Sequence, residues 1–359
     1  MNLFTPIQFG LINAKNRIIM APLTRCRASI GHVPNDLMAE YYSQRASAGL
    51  IIAEATMIME HCSSFVSEPG IYNQAQIDGW KKVTEAVHKA GGSIVLQLWH
   101  GGRTCHPILN DNRTPIGPSA IAVENSKIHT PSGKMNYTVP KAATLQDIQQ
   151  VIAGFKQAAI NAQLAGFDGV EIHAANGYLL DQFLRSNSNY RRDMYGGNFV
   201  NRSRLLFEVL LAVIDVWSSH YVGVRLSPLN SFNDMIDDNP IALTTFLAKE
   251  LNSFNLSYVH LMRGDFSNIQ QGDVISPFRE FYKGALIVNM GYQKQEAMDV
   301  IANDKADAVA FGTDFIANPD LVERFKHNLP LTQADINTYY TSDKKGYTDY
   351  LPFEKENSF

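Results

Sequence analysis

Three side chains able to bind an oxygen or move a proton fall within six positions: His173, Asn176 and Tyr178, in "VEIHAANGYLLDQFLRSNSNYRRDMYGG" (170–197). They follow Val170-Glu171-Ile172, a short run that reads as a buried strand. An imidazole, an amide and a phenol at one strand end form either a polar loop or a catalytic site. A metal centre on His173 is not indicated, because no second ligand recurs at metal-binding spacing. A serine hydrolase is not indicated either, because the chain has no G-x-S-x-G elbow.

Those residues need a scaffold, and the rest of the chain supplies its pattern. Short apolar runs read as strands at 17–22, 50–56, 93–100, 167–173, 222–228, 257–262, 285–291 and 307–313. Helical patterns lie between them at 35–49, 76–92, 144–166, 201–217, 240–253, 294–304 and 319–327. Asn35 and Thr144 are the expected N-caps of two of these helices, and Gly49 is an expected stop. Eight strands alternating with helices predict one (β/α)8 TIM barrel of α/β class over residues 1–359. A doubly wound sheet alternates too, but the first strand is followed by no glycine-rich dinucleotide fingerprint. An N-terminal β-hairpin is expected. Residues 101–143 are too long for a simple connection and read as a lid after strand three, with a hairpin around Ser132-Gly133.

Bulk properties exclude several classes. With 45% apolar and 18% charged residues the chain can build a large core, and a net charge of −4 gives no general affinity for nucleic acid or an anionic membrane. Cys26, Cys62 and Cys105 form no C-x-x-C pair, which suits a reduced, cytoplasmic protein. The first residues read as no signal peptide, and no apolar run approaches the ~20 residues of a membrane span.

In such a barrel, chemistry sits at the C-terminal strand ends. Here these offer Pro22, Leu23 and Thr24; Glu54 and Ala55; Gln97, Trp99 and His100; His173, Asn176 and Tyr178; Arg225; Asn289 and Gly291; and Gly312 and Thr313. The set is rich in amides and hydroxyls, holds one cation, and is poor in carboxylates. It suits a neutral heteroaromatic ligand that becomes anionic in one state.

The chain resembles the Old Yellow Enzyme family of FMN-dependent ene reductases, in the N-ethylmaleimide and oxophytodienoate reductase branch. The resemblance is carried by "NRIIMAPLTR" (16–25), "LMAEYYSQRASAGLIIAEAT" (37–56), "VLQLWHGGR" (95–103), residues 165–197, "VGVRLSP" (222–228), "FGTDFIANPDLVERF" (311–325) and "GYTDY" (346–350). It implies a non-covalent FMN at the barrel mouth, contacted by Pro22, Leu23, Thr24, Ala55, Gln97 and Arg225, with its phosphate near Gly291, Gly312 and Thr313. It makes His173 and Asn176 the donors that hold a carbonyl oxygen and Tyr178 the proton donor, with Phe65, Trp99 and Tyr340 lining the substrate cavity. A phenol, with a reference pKa near ~10, is protonated at neutral pH and suits that task. The implied reaction is ping-pong reduction of an activated C=C bond in an enone, maleimide or nitroalkene. NADPH is the expected electron donor and NADH the alternative. The expected partner is a small molecule, on a monomer or homodimer.

Blander readings stand beside each assignment. Arg225 is then a barrel ion pair, Thr24 a strand-end cap, Phe65 and Trp99 core, and Cys26 a packed bystander. The competing functions are a non-redox phosphate-binding lyase or isomerase, and a flavin sensor without turnover. Two departures from the family pattern stand out. Thr313 occupies the place of a phosphate-gripping arginine, and Asn233 that of a longer polar side chain at the substrate rim.

Overall fold

The structure, a computed structural model, describes residues 2–353. Residues 1 and 354–359 of the 1–359 barrel span lie outside the described residues. Eight strands build the barrel: β1 (Ile18–Met20), β2 (Leu50–Met57), β3 (Ile94–Trp99), β4 (Val170–Ala174), β5 (Val222–Leu226), β6 (Tyr258–Met262), β7 (Leu286–Asn289) and β8 (Ala308–Phe311). Every residue in them is buried, as strands covered on both faces require. They pair in parallel and the ring closes where β8 meets β1. The barrel reading therefore holds and the open-sheet alternative falls.

Register decides which side chains share a level. Gln97 lies opposite Glu171, His173 opposite Arg225, and Arg225 opposite His260. The β2–β3 register slips between Ala53 and Thr56, leaving Glu54 and Ala55 in the irregular stretch. Ala55 lines the cavity at the barrel mouth, whereas Glu54 accepts from Arg25 N at 3.1 Å and Tyr42 Oη at 3.1 Å.

The outer helices are α1 (Asp36–Gln44), α2 (Gln74–Lys89), α3 (Leu145–Leu164), α4 (Leu179–Leu184), α5 (Phe199–Trp217), α6 (Pro240–Leu251), α7 (Ile275–Phe281), α8 (Lys294–Ala302), α9 (Thr313–Ala317) and α10 (Leu321–His327). Asn35 caps α1 through Met38 N, and Thr144 closes a capping box with Asp147 on α3. Helix α1 stops at Gln44, well before Gly49. Gly49 serves a close approach instead, since a Cβ there would lie 2.0 Å from Asn16 O. Helices α4 and α7 carry no pattern long enough to read. The eighth strand ends at Phe311, not at 313, because Gly312 at φ −102, ψ −81 turns the chain into α9.

The antiparallel hairpin Ile7–Phe9/Ile12–Ala14 closes the bottom of the barrel. Its Phe9 and Ile12 pack with Ile19, Leu50, Ile52, Val95 and Ile287 in one interior cluster. With the lower barrel filled by apolar groups, the polar interior groups lie toward the opposite mouth. Within 101–143, Lys127–Thr130 pairs antiparallel with Gly133–Asn136, and Ile116–Gly117 pairs with Lys141–Ala142. Arg103 ties this segment to the loop after β5 by donating from Nη2 to Asn233 O at 2.9 Å and Asp234 O at 3.0 Å. Among the described residues, no helix is long and apolar enough to cross a membrane.

Candidate active site

A cavity of about 610 Å³ opens over the C-terminal strand ends. Pro22, Leu23 and Thr24 after β1, Ala55 on β2, Gln97 on β3 and Arg225 on β5 form part of its wall. His173, Asn176 and Tyr178 contribute from β4 and its loop, and Gly291, Gly312 and Thr313 from the loops after β7 and β8. Phe65 and Tyr340 stand at one side, their rings stacked with centroids 6.2 Å apart. Trp99 does not line the cavity. Its side chain is fully buried behind the wall, 5.1 Å from the Tyr178 ring and 6.1 Å from the Phe65 ring. It supports both rings from behind, which corrects its place in the substrate lining.

Hydrogen bonds set the direction of the two nitrogen groups. Ala175 N donates to His173 Nδ1 at 3.3 Å, so in the neutral ring the proton sits on Nε2. Burial holds His173 well below the usual histidine range, and the Arg225 charge and His260 push it the same way. Asn176 stands in left-handed backbone at φ 57, with its N–H on Ser227 Oγ at 2.7 Å and its C=O on Asn233 Nδ2 at 2.9 Å. Asn233 is thus 4% exposed and braces Asn176; it is no rim residue. The Tyr178 ring stands edge-on to His173, centroids 5.1 Å apart. Burial raises the Tyr178 hydroxyl well above the usual phenol range, so it keeps its proton.

Below them lies a buried polar floor. Gln97 Nε2 donates to Glu171 Oε1 at 2.7 Å, which leaves Gln97 Oε1 as an acceptor. Glu171 Oε2 sits 3.0 Å from His260 Nδ1. Arg225 is 7% exposed and makes one long contact, Nη2 to Asn289 Oδ1 at 3.4 Å, while its Nε has no partner among the described residues.

At the far end, no backbone carbonyl among the described residues takes the N–H of Gly291 or Gly312. Thr313 is exposed, and Asp314 beside it lines the cavity with its carboxyl raised by burial. Arg263, the residue after β6, belongs to the one strand end for which the sequence offers no candidate above. Its Nε donates to Met290 O at 2.8 Å and its Nη2 to Gly291 O at 3.2 Å, while its guanidinium pairs with Glu296 and lies 3.8 Å from the Tyr292 ring centroid. It holds Met290 at φ 93, a backbone state disfavoured for a side-chain-bearing residue. Phe232 and Phe266, which meet edge-to-face at 6.1 Å, also line the cavity and come from loops without a readable pattern. Among the described residues, no group of His, Cys, Asp and Glu could hold a metal ion.

A parallel barrel whose mouth gathers oriented donors, a phenol and a buried cation has the layout of a (β/α)8 flavin oxidoreductase. Comparison with known proteins gives the same class. Residues 2–332 match the model of the NADH:flavin oxidoreductase / NADH oxidase family. A probable flavin mononucleotide-dependent alkene reductase of Leishmania infantum is 46% identical over 353 residues, 97% of this chain and 96% of that one. The old yellow enzyme of Trypanosoma cruzi superposes with a TM-score of 0.95 at 46% identity, covering 98% of this chain and 99% of its own. Morphinone reductase in complex with tetrahydroNAD does so with a TM-score of 0.95 at 41% identity, over 100% and 99% of the two chains. The chain belongs to this FMN-dependent family, the Old Yellow Enzyme family that its sequence resembles.

Proposed function

We propose that the protein is an NAD(P)H-dependent ene reductase that reduces C=C bonds activated by a carbonyl, imide or nitro group. The observation that carries this reading is the neutral, donor-directed His173 beside a protonated Tyr178, on the wall of one cavity with Asn176. His173 Nε2–H and the Asn176 amide would grip the oxygen of the acceptor and draw charge toward it. Tyr178 would deliver its proton to the α-carbon and regain one from solvent.

The cavity residues fit FMN at its ring end. Gln97 Oε1 is an available acceptor, Thr24 a hydroxyl, and Arg225 a buried cation whose Nε has no partner among the described residues, suited to an anionic ring edge. The N–H groups of Gly291 and Gly312, which no backbone carbonyl takes among the described residues, suit the phosphate, with Thr313 adding a hydroxyl but no charge. Held there by Gln97, Thr24, Arg225 and the glycine N–H groups, FMN would supply two-electron hydride chemistry between the nicotinamide and the acceptor. Nicotinamide and acceptor would use the same donors in turn, hence ping-pong turnover. The complex of morphinone reductase with tetrahydroNAD supports a nicotinamide donor.

The lyase reading is disfavoured because, among the described residues, no lysine lines the cavity and Asp314 is its one carboxylate. The sensor reading leaves Tyr178 without a task. The test is the purified protein under anaerobic conditions. A yellow preparation that NADPH or NADH bleaches and cyclohexenone recolours supports the proposal. A colourless protein that takes up no FMN, or one that bleaches but is never reoxidised by enones, refutes it.

A further inference from the structure

We infer that Asn230 is a positioning residue that sets the direction of the Asn176 amide, and thereby makes the oxygen site donor-only. The inference rests on the function proposed above, in that it takes Asn176 as a ligand of the acceptor oxygen. Asn230 follows β5 in "SPLNSF", is fully buried, and does not line the cavity.

The argument is one of hydrogen-bond direction. A backbone N–H can only donate, and two of them point at Asn230 Oδ1: Phe266 N at 3.3 Å and Phe232 N at 3.4 Å. The Asn230 amide oxygen must face them, so its Nδ2 faces the other way. There it meets the Asn176 side chain at 2.8 Å. A donor at that point requires Asn176 to present Oδ1 to it. The Asn176 main chain is already spent on Ser227 Oγ and Asn233 Nδ2. Its one remaining polar group is Nδ2, on a half-buried residue of the cavity wall, and no acceptor takes its protons among the described residues. Without this chain of constraints the terminal amide could turn over and offer an acceptor to the ligand oxygen. That would exchange an attraction for a repulsion at little steric cost. His173 is held to the same sign by its own device, the Ala175 N–H on Nδ1.

The test uses the flavin-loaded protein and 4-hydroxybenzaldehyde, a phenol whose oxygen would occupy the site, titrated through the visible flavin absorption. Asn230→Asp keeps the shape and still accepts from Phe232 and Phe266, but its ionised form donates nothing to Asn176. Asn230→Leu removes both functions. Each variant is expected to weaken phenol binding at least tenfold and to lower kcat/KM for an enone by at least a similar factor, because the donor that is lost also serves the charge developing on the acceptor oxygen. In an Asn176→Leu background the same changes at 230 should alter affinity less than twofold, because no amide is left to turn. Lowering the pH should restore affinity to Asn230→Asp, since a protonated carboxyl can donate again, and leave Asn230→Leu unchanged. Undiminished phenol affinity in both variants, or an equal loss with and without the Asn176 amide, overturns the inference. A wild-type protein that binds the phenol but never reduces an enone refutes the proposed function and leaves this inference standing.

Discussion

Replacing Thr313 by arginine tests the reading of the far end of the cavity most directly. Thr313 is exposed at the start of α9, so a long side chain has room, and Asp314 is the neighbouring anion on the same wall. A hydrogen bond to a charged group contributes ~1.5–3 kcal/mol net. Ordering an arginine side chain offsets up to ~1.5–2 kcal/mol of that, less where the guanidinium is already confined by the wall. A surplus of about 1–2 kcal/mol corresponds to FMN binding roughly five- to thirtyfold tighter. Riboflavin has the same ring system and no phosphate, so its affinity should move less than twofold. Fluorescence quenching of each flavin on the apoprotein gives both constants, and the FMN gain should shrink as salt rises from 20 to 500 mM, concentrations chosen to span weak and strong screening. An FMN-to-riboflavin affinity ratio equal to that of the parent at low salt would show that the phosphate does not sit at Thr313. A parallel gain for both flavins would mean that the substitution stiffens the loop and does not bind the phosphate.

Three further outcomes follow from the geometry. Tyr178→Phe should slow reoxidation of the reduced protein by an enone by ~10²–10⁴-fold, the usual contribution of a positioned acid, and spare reduction by NADPH; stopped-flow rates that fall equally in both halves would refute the proton-donor role. The phenol affinity of the site should show no protein ionisation near pH 6.5, because burial and Arg225 hold His173 well below that value and burial holds Tyr178 well above 10. By the same shift, burying neutral His173 contributes stability that is present above the unfolded value of ~6.5 and lost as pH falls toward the folded one. Urea midpoints of wild type and His173→Asn should therefore converge on acidification, and a constant gap would count against a neutral His173. Arg263→Gln should lower unfolding stability by about 1–2 kcal/mol and loosen both flavins, since Met290 O and Gly291 O lose their shared guanidinium; unchanged urea midpoints and flavin affinities would show that the turn holds itself.

What could be read from the sequence, and what could not, divides along a physical line. Strand ends were legible because period and burial mark where a buried strand stops, and in a barrel the next side chains face the mouth. That rule delivered Thr24, Gln97, His173 and Arg225, and applied to β6 it reaches Met262 and Arg263 as well. The resemblance, not the rule, put Trp99 in the substrate lining; its side chain is buried behind the wall, as the alternative reading of it as core has it. Hydrogen-bond direction was illegible in principle. Nothing in "SPLNSF" tells that Asn230 turns its oxygen to two backbone N–H groups and its nitrogen to Asn176. Tyr340 was placed in the cavity by the family resemblance, but what holds its wall was hidden for a related reason. Arg25 donates to Tyr339 O at 3.0 Å and Gly346 O at 2.7 Å, Arg27 to Thr338 O at 2.8 Å, and Arg45 to Tyr347 O at 3.3 Å. These buried cations bind a strap more than 290 residues further along the chain through carbonyl groups that every residue possesses, so no pattern of residue types records the pairing. The arginines nevertheless bring Tyr340 against Phe65. The side chains that would meet the substrate were thus readable one by one, whereas the groups that aim them act through the backbone and become visible only once the chain is folded.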